Sequence, residues 1–185
     1  GAPVMFNSNG EQDATGDRLM YDRVHAFGGR SMAIWSADGE LVWDSGDAVE
    51  QYLASDQCLA GSGRDIPCAD YFNSNHSEAS AFLNRSDNKG PEPEAVTVAQ
   101  LGNRTFAFLG LERMGGVMTF DITDPRAPVI VDYLNTRDDW LADPETNLAI
   151  VGDLGIEDIT FVPAADSPNG QPLLITGHEV SGTTA

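Results

Sequence analysis

Short hydrophobic runs alternate with polar turns along much of the chain, which is the pattern of an antiparallel β protein. The clearest hydrophobic runs cover residues 95–98, 105–111, 117–122 and 129–134. Each run has the length of a β-strand, and the segments between them are rich in Gly, Asn, Asp and Pro, which favour turns. The pattern therefore predicts four consecutive antiparallel strands joined by hairpins.

Part of this pattern recurs along the sequence. Residues 93–98 (PEAVTV) return as residues 156–161 (IEDITF), 63 positions later. Residues 110–116 (GLERMGG) return as residues 177–183 (GHEVSGT), 67 positions later. A partial copy of the later half of the unit precedes both, at residues 28–44. A unit that recurs at a long period is typical of repeat architectures.

Tandem four-stranded antiparallel units predict a β-propeller, whose blades are such sheets around a central channel. The predicted fold class is all-β and β-propeller-like with an incomplete ring, because known propellers have about four to eight blades. An open antiparallel sandwich is the alternative. A single partial domain over residues 1–185 is predicted, with these parts: a polar leader without strands (1–16), the end of one blade (17–45), a long insert (46–93), a complete blade (94–134), a second insert (135–153) and the start of the next blade (154–185).

Six longer motifs point together to one known family. They are FGGRSMAIW (27–35), DYFNSN (70–75), RSDNKGPEPE (85–94), GLER with GGV (110–117), DITDP (121–125) and DSPNG (166–170). In this order they resemble the choice-of-anchor I domain family, from about residue 18 to the end of the chain. The resemblance implies a secreted β-propeller, of which this chain is the C-terminal part. It also implies a relation to mesenchyme-specific cell-surface glycoproteins, which are linked to biomineralisation, and to atypical alkaline phosphatases.

The charge of the chain narrows the choice of partners. Lys and Arg number 10 and Asp and Glu number 29, which gives a net charge of −19. Such a surface repels nucleic acid and anionic membranes, and it attracts divalent cations and basic partners. No apolar run approaches the roughly 18–20 residues of a membrane span. With the resemblance, these features predict an extracellular, secreted or cell-surface location.

Two cysteines, Cys58 and Cys68, bracket a short loop in the first insert. An even number of cysteines close together in a polar segment predicts a local disulfide in an oxidising compartment. Free thiols and a metal site that includes His76 are the alternatives. The sequence also contains three N-glycosylation sequons, which begin at Asn75, Asn84 and Asn103.

Four glutamates occupy matching positions in the two copies of the repeat, namely Glu94, Glu112, Glu157 and Glu179. Equivalent positions of different blades converge in a propeller, so we expect these carboxylates to meet. Clustered carboxylates repel one another unless a cation or proton shares the site, and Ca²⁺ prefers oxygen ligands. We therefore predict a Ca²⁺ site formed by these four residues and by Asp87 in the loop. The alternative is that each glutamate is a structural hydrogen-bonding residue.

Basic residues are few, so those beside the glutamates stand out. Arg30, Arg85 and Arg113 all lie in the motifs that carry the resemblance. An arginine among carboxylates is most often an ion-pair partner, and the alternative is a clamp for an anion such as phosphate. His25 and His178 are candidate ligands or acid–base groups.

Two functions are consistent with these residues. The first is an extracellular calcium-binding β-propeller module with a non-catalytic matrix or surface role. Its partners would be divalent cations, the remaining blades of a longer parent chain, and a glycan or mineral surface. The alternative is a metal-dependent hydrolase of the alkaline phosphatase or phosphodiesterase type. The sequence contains no nucleophile elbow, phosphate-binding glycine loop or zinc-protease motif, which favours the first function.

Overall fold

The computed structural model describes residues 4–6, 18–20, 28–79 and 81–185. In chain order the elements are β1 (Val4–Phe6), β2 (Arg18–Met20), β3 (Ala33–Trp35), β4 (Leu41–Asp44), α1 (Ala48–Leu53), β5 (Leu59–Ala60), β6 (Ile66–Pro67), a 3₁₀ turn (Cys68–Tyr71), β7 (Pro93–Leu101), β8 (Arg104–Leu111), β9 (Val117–Asp121), β10 (Val129–Leu134), α2 (Pro144–Val151), β11 (Ile156–Val162) and β12 (Leu173–His178).

Strands β7–β10 form one four-stranded antiparallel sheet in the order β10-β9-β8-β7. Each strand therefore pairs with its neighbours in sequence, as the hydrophobic runs predict. The remaining strands form two-stranded antiparallel sheets, β1–β2, β3–β4, β5–β6 and β11–β12. The fold class is confirmed: the described chain is all-β and propeller-like, with one full blade and parts of others. The prediction of a leader without strands is wrong, because the apolar run of β1 pairs with β2.

Other elements pack on both faces of the central sheet, although valines of its outer strands β7 and β10 stay exposed. On one face, Leu109, Met118 and Phe120 pack in a buried core with Val49 and Leu53 of α1. Helix α1, at the start of the first insert, thus supplies part of the main core.

The β11–β12 pair packs on the opposite face of the central sheet. Ile156 and Ile159 of β11 bury against Ala95 of β7. The rings of Phe108 and Phe161 stack with centroids 6.5 Å apart. Strands β7 and β11 therefore lie close together, as the first strands of adjacent blades do. Among the described residues, no helix has the length and apolar character needed to cross a bilayer.

The predicted disulfide between Cys58 and Cys68 is present, with the two Cα atoms 5.4 Å apart. Both cysteines are fully buried in the main core. Tyr71, in the 3₁₀ turn that begins at Cys68, stacks on Trp140 of the second insert with ring centroids 4.8 Å apart. The bond therefore fixes the part of the first insert that contacts the second.

Replacing both cysteines by serine should lower the free energy of unfolding by about 2–3 kcal/mol, because the cross-link restricts a loop of about ten residues in the unfolded chain. Denaturant unfolding under non-reducing conditions measures the difference. Adding a reductant to the wild type should produce at most the same loss, because free thiols bury no hydroxyl group in the core. A double variant as stable as the wild type would contradict the prediction.

Candidate functional site

Two of the repeat-equivalent glutamates occupy β-bulges. The register between β7 and β8 shifts at Glu94, and the register between β11 and β12 shifts at Glu157. A bulge places an extra residue in one strand and changes the direction of its side chain. Because β7 and β11 lie close together, the two bulges present both carboxylates at the same end of the paired sheets.

The other two glutamates follow the second strand of each pair. Glu112 comes directly after β8, and its N–H donates to the carbonyl oxygen of Glu92 at 2.8 Å. Glu179 comes directly after β12, and its N–H donates to the carbonyl oxygen of Gly155 at 2.7 Å. The same backbone hydrogen bond therefore fixes both residues, and the sequence repeat is also a structural repeat.

The side chains of these glutamates converge. Carboxylate oxygens of Glu92, Glu94 and Glu112 lie within 4.8 Å of one another. A second set consists of a ring nitrogen of His76 and carboxylate oxygens of Glu112 and Glu179, which also lie within 4.8 Å of one another. The pKa of Glu157 is raised by partial loss of hydration and by the charges of Glu179 and Glu94. We call the three exposed residues of this group, Glu94, Glu157 and Glu179, the rim.

Beneath the rim lies a buried ion network centred on Glu92, which is only 2% exposed. Arg113 Nε donates to Glu92 Oε2 at 2.5 Å, and Arg85 Nη2 lies 3.4 Å from the same oxygen. Lys89 pairs with Glu92 Oε1. Three cations therefore surround one buried carboxylate. We call Glu92, Glu112, His76, Arg85, Lys89 and Arg113 the buried network.

Arg113 connects Glu92 to the second half of this network. Its Nη2 lies 2.9 Å from Glu112 Oε1, and its Nη1 contacts His76 Nε2. His76 Nε2 also lies 3.0 Å from Glu112 Oε1. Burial raises the pKa of Glu112, although the charge of Arg113 opposes this.

The His76 imidazole is held in its neutral form. Its pKa is lowered to about 4 by burial and by the charges of Arg113, Arg85 and Arg137. A neutral ring can accept a hydrogen bond at Nε2, which a protonated ring cannot. Nε2 of the neutral ring accepts from Arg113 in one tautomer and donates to Glu112 in the other.

Arg137 of the second insert fixes the backbone on both sides of His76. It is 1% exposed, and it donates to the carbonyl oxygens of Asn75 and Glu78, each at 2.9 Å. Its guanidinium lies over the ring of Trp140, 4.3 Å from the centroid. Burial lowers its pKa to about 10, so it remains charged at neutral pH. The second insert thereby holds the loop that places His76 at the site.

The rim and the buried network together carry an excess of negative charge. Three cations face five carboxylates, which leaves two negative charges uncompensated when His76 is neutral. The carboxylates are Glu92, Glu94, Glu112, Glu157 and Glu179, and the cations are Arg85, Lys89 and Arg113. The cations pair with Glu92 and Glu112 beneath the rim, so the excess charge falls on the rim. One divalent cation at the rim would balance it.

Arg30 and Asp87 lie apart from this convergence. Arg30 Nη1 pairs with Glu50 at 2.9 Å, and its Nη2 donates to the carbonyl oxygens of Ser86 and Asn88. It therefore fixes the turn that contains Asp87. Asp87 itself is exposed. Among the described residues, it belongs to neither of the two clusters of possible metal ligands that contain Glu112.

One of the two histidines predicted as candidates, His178, also lies apart from the rim. His25 is outside the described residues. His178 is buried, its Nε2 lies 2.9 Å from Thr176 Oγ1, and it lines a cavity of about 200 Å³ between the two sheets. Apolar side chains such as Phe108 and Val117 line that cavity together with polar ones such as Asp132 and Asp153.

Sequence reasoning missed Glu92 and His76 as members of the site. One signal could have identified Glu92, because its repeat counterpart is Gly155. Both residues have a left-handed backbone, with φ of +58° at Glu92 and +72° at Gly155. A glutamate at a position that suits glycine is strained, and such strain is typical of functional sites. For His76 the sequence offers no comparable signal, since it is brought to the site by the fold of the insert.

Comparisons with known proteins identify a family profile and relatives that the chain resembles. The sequence profile of the choice-of-anchor I domain matches residues 5–125. Gigasin-3a from Magallana gigas is 28% identical over 180 residues, which cover 89% of this chain and 57% of the relative. Mesenchyme-specific cell surface glycoprotein from Strongylocentrotus purpuratus is 24% identical over 124 residues, which cover 62% of this chain and 15% of the relative. The chain thus spans little more than half of the first relative and a small part of the second. No solved structure matches the chain.

Proposed function

Because the chain belongs to the choice-of-anchor I domain family, we propose that it is an extracellular or cell-surface module that binds Ca²⁺ in a non-catalytic matrix or surface role. The family and the relative named as a cell-surface glycoprotein indicate the extracellular or surface setting. The binding site we propose is the rim, with Glu112 beneath it. Its ligands would be carboxylate oxygens of Glu94, Glu157 and Glu179.

The observation that carries this proposal is the pair of uncompensated charges on the rim. Like charges in a cluster raise one another's pKa, as they do at Glu157, and a bound cation removes that penalty. Ca²⁺ takes about six to eight oxygen ligands in a flexible geometry, so three exposed carboxylates completed by water would suit it. Mg²⁺ would be a poorer match, because it demands a stricter geometry and gives up its water reluctantly.

The exposure of the rim supports the surface role that we propose. A Ca²⁺ ion held by exposed carboxylates keeps some ligand positions for water, which an anionic partner can replace. The partner we propose is therefore a glycan with acidic groups or a mineral surface. In this role the cation bridges two acidic surfaces that would otherwise repel each other.

The phosphoesterase alternative has no comparable support. A phosphate clamp needs cations that are free to meet phosphate oxygens. In the described part of the chain, Arg85 and Arg113 form ion pairs with Glu92, and Arg30 forms an ion pair with Glu50. These contacts support ion pairing rather than phosphate binding as the role we propose for the three arginines.

Removing Ca²⁺ with a chelator should lower the melting temperature of the protein. An ion that binds only the folded state adds about 2.7 kcal/mol of stability at one hundred times its dissociation constant. The double variant Glu157→Gln/Glu179→Gln should lose most of this effect, because it removes two ligands and the excess charge. Thermal melts with and without chelator, together with calorimetric titration, measure both quantities.

The matched control is Glu40→Gln/Glu145→Gln, which changes the net charge equally at exposed positions away from the rim. It should respond to Ca²⁺ as the wild type does. If the wild type takes up no Ca²⁺ at millimolar concentration, the proposal fails. If the rim variant and the control bind Ca²⁺ equally, the rim is not the site.

A further inference from the structure

The structure distinguishes sharply among the three sequons. Asn75 is buried, and its Nδ2 donates to Glu78 Oε1 at 3.2 Å. Asn84 is exposed, but its Nδ2 donates to the other oxygen of Glu78 at 2.7 Å. The Oδ1 of Asn84 accepts from the backbone N–H of Asn75 at 3.0 Å. Both side-chain amides therefore support the loop that contains His76.

Asn103 is in a different position. Together with Gly102 it forms the two-residue turn between β7 and β8, and its side chain is exposed. Gly102 has φ of +64°, whereas Asn103 does not have a positive φ, which is the pattern of a type II′ hairpin turn. No hydrogen bond to the Asn103 amide occurs among the residues that the structure describes.

The neighbours of Asn103 leave its amide accessible. The Arg104 guanidinium pairs with Asp121 and lies over the Phe106 ring, 4.9 Å from the centroid. It therefore points along the sheet and away from the tip of the turn. The third residue of the sequon, Thr105, is only partly buried.

From these differences we propose that Asn103 is the N-glycosylation acceptor of this chain, and that Asn75 and Asn84 are not acceptors. The donor is an oligosaccharide carried on a lipid diphosphate. The Asn103 Nδ2 attacks C1 of the first sugar, and an N–C bond forms as the C1–O bond to the diphosphate breaks. The lipid diphosphate leaves with the bonding electrons, and one amide proton passes to a base of the transferring enzyme.

This proposal is independent of the cation site. In the β7–β8 pair, Leu101 lies opposite Arg104 at one end and Pro93 lies opposite Leu111 at the other. A nine-residue strand spans about 27–30 Å at about 3.3 Å per residue. A glycan on Asn103 therefore projects from the end of the blade remote from Glu94 and Glu112, and the rim stays accessible.

The test is to direct the full chain into the secretory pathway of cultured eukaryotic cells. The mass of the secreted and cell-associated protein is then measured before and after treatment with peptide N-glycosidase. We expect one N-glycan on the wild type, its complete loss in Asn103→Gln, and its retention in Asn84→Gln. Thr105→Ala should lose the glycan, and Thr105→Ser should keep it, because serine preserves the sequon.

Absence of an N-glycan on the wild type in both fractions would overturn the proposal. A glycan that persists in Asn103→Gln would also overturn it, because the acceptor would then be Asn75 or Asn84. Peptide mapping after deglycosylation in ¹⁸O water, which marks the modified asparagine as a heavy aspartate, identifies the acceptor directly. Calcium binding is not part of the readout, so failure of the cation proposal leaves this result unchanged.

Discussion

Replacing Glu92 by glutamine should lower the free energy of unfolding by about 3 kcal/mol or more, the largest loss that we expect from a change of one charge. The carboxylate is 2% exposed and forms ion pairs with Arg85, Lys89 and Arg113 at the same time. Removing one partner of a buried ion pair leaves uncompensated charge and costs about 3–5 kcal/mol. The three cations are partly exposed, so water offsets some of the loss, and we expect the lower end of this range.

Glutamine is the informative substitution, because it keeps the size of the side chain and the same left-handed backbone. The measured loss then reports the charge alone. Denaturant unfolding of Glu92→Gln is compared with that of Glu40→Gln, an exposed glutamate in the β3–β4 turn, which should change stability by less than about 0.5 kcal/mol. Equal stability of the two variants would show that Glu92 does not organise the network.

Acidification should destabilise the protein through His76. The pKa of this residue is lowered to about 4 in the folded state from an ordinary value of 6.5. Between these two pH values the unfolded chain binds a proton at His76 and the folded chain does not. Stability therefore falls as the pH drops from about 6.5 to 4, by about 3 kcal/mol in total at about 1.4 kcal/mol per pKa unit.

The variant His76→Gln isolates this contribution, because glutamine does not titrate and can still accept a hydrogen bond from Arg113. Its free energy of unfolding should depend less steeply on pH between 4 and 6.5 than that of the wild type. Glu112, whose pKa is raised, acts in the opposite direction and is present in both proteins. Parallel curves for the two proteins would mean that His76 titrates equally in the folded and unfolded chains.

Hydrophobic pattern alone was sufficient to predict the central sheet, because hairpins connect strands that are adjacent in sequence. The repeat made it possible to predict that Glu94 and Glu157 lie close together, because equivalent positions in the two copies form the same β-bulge. The repeat likewise predicted that Glu112 and Glu179 occupy equivalent positions, and matching backbone hydrogen bonds hold them there. Local pairing and internal repetition are therefore the parts of this fold that can be inferred from one sequence.

The buried network could not be predicted in the same way. Glu92 and Glu94 are two residues apart in a proline-rich segment, and nothing in the sequence tells which of them is buried. Packing decides this, because the left-handed backbone at Glu92 turns its side chain toward Arg113. His76 reaches the site only because Arg137, 61 positions later, holds its loop by two carbonyl oxygens. Such long-range contacts leave no periodic pattern.

The connections of the central sheet bear on the order of events during folding. Strands β7–β10 are joined by segments of two, five and seven residues, at 102–103, 112–116 and 122–128. Short connections cost little loop-closure entropy, so this meander is expected to nucleate early. The buried network also requires the insert that contains His76 and Arg85. We expect this insert to pack against the sheet after the sheet has formed. Contacts of the buried network should therefore slow unfolding and have little effect on the folding rate.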